Sequence, residues 1–303
     1  MPDPLVYLQA FVIVASASAL VALALGWRLR LPNPMLVDGI GVTSIAIGQA
    51  VGIYWLRLPI GWPPASALDR YLVVVLPAVM AVELIAAFPK FPTRGVLALR
   101  LMLAASIARV LLHDSVYLEE WAAWQTFVAL VSCAALVVGV WLSLARLAER
   151  SPGISLPLAI ALAIQGAGVS IMLAGYIRGG AAAMVTTAAL LGTTLACARG
   201  AKRMPQTTLV AFGVVSLCSL LIIGVFFGRL PVASALALLM SPALCWLTEF
   251  GGCRNRSVFV VGIIRLTIVA VVVIMVVLVA QRKFEREFRP LLSTTAQSSL
   301  LVP

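Results

Sequence analysis

The sequence predicts an all-α protein, a polytopic transmembrane helical bundle of about ten spans with an internal duplication. Three observations predict it. Charged residues make up 11% of the 303 residues and hydrophobic ones 62%, whereas a soluble domain carries roughly 25% charge. The apolar residues gather in continuous runs of about 20, each long enough to cross a hydrocarbon core about 30 Å thick. Two stretches 172 positions apart, GVTSIAIGQAVGIYWLRLP at 41–59 and GVVSLCSLLIIGVFFGRLP at 213–231, repeat one pattern without a gap. Backbone in lipid must satisfy its own hydrogen bonds, so continuous apolar runs are helices. A β-barrel would instead show alternating ten-residue segments.

The expected spans are 5–26, 35–56, 69–88, 96–112, 122–145, 154–177, 180–198, 207–227, 231–248 and 257–280. Span 1 lacks Lys and Arg before it and has Arg28 and Arg30 after it. A secretory signal has the opposite flanks, so this run is expected to be a retained helix. The later spans are separated by short Pro-, Gly- or charge-bearing connections: LPNP, RLPIGWPP, PKFP, the His113 loop, ERSPG, RGG, KRMPQ, RLP and GGCRNR. From Arg282 onward a charged, then Ser/Thr-rich segment reads as a mobile tail.

The repeat extends past its opening match. ASAL recurs at 65–68 and 233–236, Pro77-Ala78 matches Pro242-Ala243, and Arg100-Leu101 matches Arg265-Leu266. Each arginine lies 23 residues after its proline, with Glu83 or Glu249 between them. Spans 1–4 then correspond to spans 7–10, an even offset that makes the copies parallel. The expected organisation is a first repeat at 1–112, an outer loop and joining pair at 113–178, a second repeat at 179–281 and the tail at 282–303.

The net charge of +11 does not point to nucleic acid, because no basic stripe with interleaved aromatics is present. The basic residues sit singly or in pairs between apolar runs. Loops after odd-numbered spans hold Arg28, Arg30, Lys90, Arg94, Arg146, Arg150, Arg199, Lys202, Arg203, Arg254 and Arg256; loops after even-numbered spans hold Arg57, Arg70, Arg178 and Arg229. Positive-inside asymmetry then places the odd loops in the cytoplasm and the N-terminus outside; the expected location is a bacterial inner membrane. The tail, with Arg282, Lys283, Arg286 and Arg289, falls on the other side and disagrees with that asymmetry.

Three groups of residues are candidates for function. Glu83 and Arg100 lie at equal depth in an antiparallel hairpin, about 7 Å inside the ends of spans 3 and 4; Glu249 and Arg265 are their counterparts. Ionisable groups within a span face the bundle or a wet cavity, so these four are a candidate intramembrane polar site, with structural ion pairing as the alternative. His113, Asp114, Glu119 and Glu120 form a candidate outer-loop site, flanked by Tyr117, Trp121 and Trp124 as interfacial anchors. Their spacing matches no metal motif. Gly48-x-x-x-Gly52 and Gly224-x-x-x-Gly228 are candidate close-packing positions. Gln49, Asp38, Gln165 and the threonines 186, 187, 193 and 194 add intramembrane polarity. Of five scattered cysteines, Cys253 alone sits in a loop.

No G-x-S-x-G, P-loop or paired-histidine pattern occurs, and no catalytic residue, metal or cofactor is assigned. The expected function is a small-solute permease or channel with a path between the parallel repeats, taking a small molecule or an ion. A membrane scaffold or complex subunit is the alternative, and an enzyme acting on a lipid-linked substrate the third reading. The lipid bilayer is the one partner the composition requires; protein partners are left open.

Overall fold

A computed structural model of the chain describes residues 4–28, 34–88, 91–200, 206–249 and 257–298. Cys253 lies outside them. The described chain is helical throughout, without strands. The helices are α1 (Pro4–Arg28), α2 (Pro34–Trp55), α3 (Ala67–Ala87), α4 (Thr93–Leu111), α5 (Ala123–Arg150), α6 (Ser155–Leu173), α7 (Ile177–Gly200), α8 (Gln206–Phe227), α9 (Val232–Thr248) and α10 (Val258–Ser298), with a short helix at Val116–Glu120. Among the described residues, eight are long and apolar enough to cross a membrane. The other two expected spans are helical as well. α4 carries Arg94, Arg100 and Arg109, and α9 is shorter. The protein is an integral, multi-pass helical membrane protein.

The chain runs back and forth between two ends of the bundle. One end bears the Arg-Leu-Pro turns at 57–59 and 229–231; the other bears Arg100 and Arg265. Lys283 of α10 lines the same pocket as Arg229. The segment from Arg282 therefore leaves at the Arg-Leu-Pro end, together with the even-numbered connections. It continues α10 as far as Ser298. QRKFEREF is made largely of good helix formers, and Gln281 donates to Glu285 one turn on, at 3.2 Å.

α8 is the axis. It packs against α2, α3, α4, α5, α6, α7 and α9, and every residue from Thr208 to Gly224 is buried. A helix that is apolar on all sides has no face suited to water, and surrounding it with other helices is the solution its composition permits. α1 packs on α7 and α2, α7 on α6, and α10 on α6 and α9. Small residues set these distances. A Cβ on Gly52 would lie 2.4 Å from Val185 and 2.8 Å from Val14, and one on Gly48 would strike the Ser18 hydroxyl, so both glycines seat α2 against α1 and α7. Gly224 faces Ile171 of α6, and Gly228 lies past the end of α8 beside Tyr176.

Two helices leave regular α geometry at a proline. In α3 the stretch Tyr71–Val75 is a π turn, with the Leu76 N–H bonded to the Tyr71 carbonyl, just before Pro77. In α9 the chain tightens to a 3₁₀ helix over Ser241–Thr248, with Pro242 in its first turn. Proline offers no N–H to the carbonyl four residues back. In lipid that carbonyl needs another donor, and the Leu238 oxygen receives the Ser241 hydroxyl at 2.9 Å.

The ends of α2 and α8 also match. Arg57 and Arg229 both adopt left-handed backbone, φ 47° and 53°. At α8 the N–H groups of Gly228 and Leu230 both return to the Gly224 carbonyl, at 3.0 and 2.9 Å. At α2 the Leu58 N–H returns to Ile53 at 3.0 Å. Glycine usually fills such a position, because a Cβ there costs about 1–2 kcal/mol. Arg57→Gly is therefore expected to raise the melting temperature slightly, whereas Arg57→Ala, which keeps the Cβ, is expected to leave it unchanged.

Candidate functional site

The two glutamate–arginine pairs are formed. Arg100 grips Glu83 with two parallel bonds, Nε to Oε1 at 2.8 Å and Nη2 to Oε2 at 2.6 Å. Glu83 is buried and Arg100 partly so, their side chains 2% and 20% exposed. Arg265 reaches Glu249 through Nη2 at 2.6 Å. It also donates to Thr248 at 2.9 Å, Ser151 at 2.9 Å and Ser155 at 3.3 Å. Here the arginine is the buried partner: its side chain is 2% exposed against 21% for Glu249. The hairpin α3–α4 explains the first pair, since equal depth from a shared turn brings the side chains level. The second pair is held differently, by hydroxyls from the end of α9, the start of α6 and the turn before it.

Asp38 and Thr208 join the first pair. The Thr208 hydroxyl donates to Asp38 at 3.2 Å, and Arg100 lies within electrostatic reach of both Asp38 and Glu83. Four helices, α2, α3, α4 and α8, thus bring two carboxylates, one guanidinium and one hydroxyl together at one end of the bundle. From there a seam runs inward between α2, α3 and α8. Asp38, Val42, Ile45 and Gln49 follow one another at spacings of four, three and four residues, so they share one face of α2 over about 16 Å. Val42, Ile45, Val79, Met80 and Phe212 line a crevice beside Glu83 and Thr208 that has no room for a water molecule.

Beyond that apolar stretch the seam turns polar again. Gln49 donates to the Thr186 hydroxyl at 3.0 Å, and the Tyr71 hydroxyl meets the same oxygen at 3.2 Å. Ser216 stands beside Tyr71. Among the described residues, Gln49 Oε1 and the Ser219, Ser18 and Thr193 hydroxyls are buried without a hydrogen-bond partner. Such groups cost free energy in a dry interior. Sequence reading singled out Gln49, Asp38 and the threonines only as scattered polarity. It missed Thr208 and Phe212, whose one available signal was the shared helical spacing of 208, 212 and 216, and Tyr71, which carried none.

The outer-loop candidates separate. His113 Nδ1 and Asp114 Oδ2 lie 2.7 Å apart. Arg70 donates to the His113 carbonyl and to the Ala65 carbonyl, and stands 3.5 Å from Asp114. These contacts tie the loop to the start of α3. Glu119 and Glu120 are exposed on the short helix, and among the described residues no three His, Cys, Asp or Glu side chains converge as a metal site would require. Tyr117 and Trp121 also hold the loop to the end of α8. Tyr117 donates to the Phe226 carbonyl at 2.8 Å, and both rings pack edge-on against Phe226. Trp124 is exposed, as a belt residue is.

A multi-pass helical membrane bundle with a buried polar cluster is the class that fold and site define. Compared with known proteins, the chain matches no family model, no curated protein and no solved structure.

Proposed function

We propose that the protein is a small-solute permease, here in a closed state, whose path is the seam between α2, α3 and α8. The observation that carries this reading is the order of groups along the seam: Asp38, Glu83, Arg100 and Thr208 at the mouth, Val42, Ile45, Val79 and Phe212 across the middle, and Gln49, Tyr71, Thr186 and Ser216 beyond. Polar groups separated by an apolar constriction describe a route that closes by excluding water. Buried ionisable groups within a span point to a substrate or ion path. Two carboxylates against one guanidinium make the mouth better suited to a cation or a neutral polar solute than to an anion.

The reading also includes the duplication. The paired Arg-Leu-Pro turns, the proline breaks at 77 and 242 and the two glutamate–arginine pairs support two parallel units, and the seam falls between α2 and α3 of the first and α8 of the second. The units have diverged in role: the first pair sits at the mouth, while the second is enclosed by serines and a threonine and braces α10 on α9 and α6.

A second reading, a membrane component that holds a partner along its perimeter, is favoured by an apolar groove between α5, α8 and α9, lined by Leu136, Cys218, Phe226 and Leu236 among others. The two are separated by cysteine accessibility in liposomes. With the native cysteines replaced by alanine, Ile45→Cys is expected to react with a water-soluble thiosulfonate, and faster when Phe212→Gly widens the constriction. A cysteine that stays unreactive in both proteins, while Tyr54→Cys at the exposed end of α2 reacts, would refute the permease and leave the perimeter reading.

A further inference from the structure

A second polar pocket lies at the opposite end of the bundle from the Glu83 mouth. It sits where α6 ends, α9 begins and α10 leaves the membrane segment. Arg229 and Lys283 line it, with Ser170 and Ser234, over an apolar wall that includes Leu173 and Val279. Its free volume is about 60 Å³, room for a few waters or one tetrahedral group.

Three features of this pocket point to an anion. Two cationic side chains, Arg229 from the turn after α8 and Lys283 from α10, line one small space. α9 starts there on Pro231 with no side-chain cap. Its first backbone N–H groups therefore lack intrahelical partners, and the positive end of the helix dipole faces the pocket. Ser170 is fully buried, and among the described residues its hydroxyl has no hydrogen-bond partner. That is a donor with nothing to bond, and a bound oxyanion would satisfy it. The apolar wall at membrane depth fits the first carbons of an acyl chain, as a lipid head group would bring with it.

We propose that this pocket binds a phosphate group, supplied by the head of an acidic phospholipid. The phosphate oxygens accept from Arg229, Lys283, the Ser170 hydroxyl and the α9 N-terminus, and the chain lies along Leu173 and Val279. This assignment stands on its own, whatever the seam conducts.

The test is native mass spectrometry of the full chain released from nanodiscs of mixed phosphatidylglycerol and phosphatidylcholine. The wild-type protein is expected to retain phosphatidylglycerol preferentially. Arg229→Gly keeps the left-handed turn with a residue that favours it, so the fold survives. It and Lys283→Ala should each cut that retention about fivefold, the effect of one cation near a membrane surface. Ser170→Ala should weaken it further in either background. Arg57→Gly, the same change at the matching turn of α2, should leave retention at the wild-type level. Equal retention of both lipids by the wild-type protein overturns the proposal, and so does an Arg57→Gly loss as large as that of Arg229→Gly. In a second arm, millimolar inorganic phosphate is added. Undiminished lipid retention supports the lipid as the source, whereas displacement of the lipid keeps the phosphate site and assigns it to the free ion.

Discussion

Arg265→Ala is expected to destabilise the bundle by about 3–5 kcal/mol, the usual cost of leaving part of a buried charge network unpaired. Arg265 is almost fully buried and supplies donors to Glu249, Thr248, Ser151 and Ser155 at once. Removing it orphans four acceptors on three segments and takes away the contact that fixes α10 against α9 and α6. Glu249→Gln is expected to cost less, about 2 kcal/mol, because Arg265 keeps its three hydroxyl partners and still donates to the amide oxygen, while its charge loses the carboxylate. Replacing the pair together by leucine and methionine should recover much of the Arg265→Ala loss, since apolar side chains of similar volume carry no desolvation penalty. Thermal unfolding in one detergent, followed by tryptophan fluorescence, reads all three. If Arg265→Ala and Glu249→Gln shift the midpoint equally, the hydroxyl cage contributes nothing and this account of the second pair fails.

Gly192→Ala is expected to cost about 3 kcal/mol, the upper part of the range for overpacking a filled interior. A Cβ at this position would lie 2.1 Å from the Ala15 carbonyl oxygen and 2.9 Å from the Ala15 Cα. Both are backbone atoms of α1, so no side chain can rotate away, and the whole helix must shift from α7. Gly180→Ala is the control. Its nearest neighbour is the Met172 side chain, a flexible thioether that can give way, although the Gly168 carbonyl at 2.8 Å keeps the cost from vanishing. The expected order is Gly192→Ala well below Gly180→Ala in stability, measured by the same unfolding midpoint. Equal midpoints would mean that α1 is loosely held, which its close backbone approach to α7 does not allow.

The first glutamate–arginine pair shows how far sequence reading reached. Equal depth in a hairpin follows from helix rise alone, so Glu83 and Arg100 were legible as neighbours from their distances to the turn. The cage around Arg265 was not, because Ser151 and Ser155 lie more than a hundred positions away and serine in a loop carries no signal of its own. Asp38 was legible as an oddity within an apolar run, yet its partner Thr208 comes from α8. Only the packing of α2 on α8 brings them together. The loop aromatics show the same limit: Tyr117 and Trp121 have the composition of interfacial anchors, and only the fold shows that their rings also pack on Phe226 at the end of α8.

The sequence by itself determined that this is a helical membrane protein with short connections, because apolar run length and the need to satisfy backbone hydrogen bonds in lipid leave no other architecture. It also marked Pro77 and Pro242 as positions where the carbonyl four residues back would lack its N–H donor, since a missing N–H is a local fact. Tertiary structure decided which failure becomes a π turn and which a 3₁₀ turn, and which of the apolar helices stands at the centre. It also decided that one arginine faces a seam while its counterpart is enclosed. These outcomes depend on helix neighbours far apart in the chain, and in a sequence of Ala, Leu and Val nearly every helix face is apolar enough to be buried. Periodicity therefore cannot choose among the faces, and the choice falls to small residues such as Gly52 and Gly192, whose effect exists only where another backbone comes close.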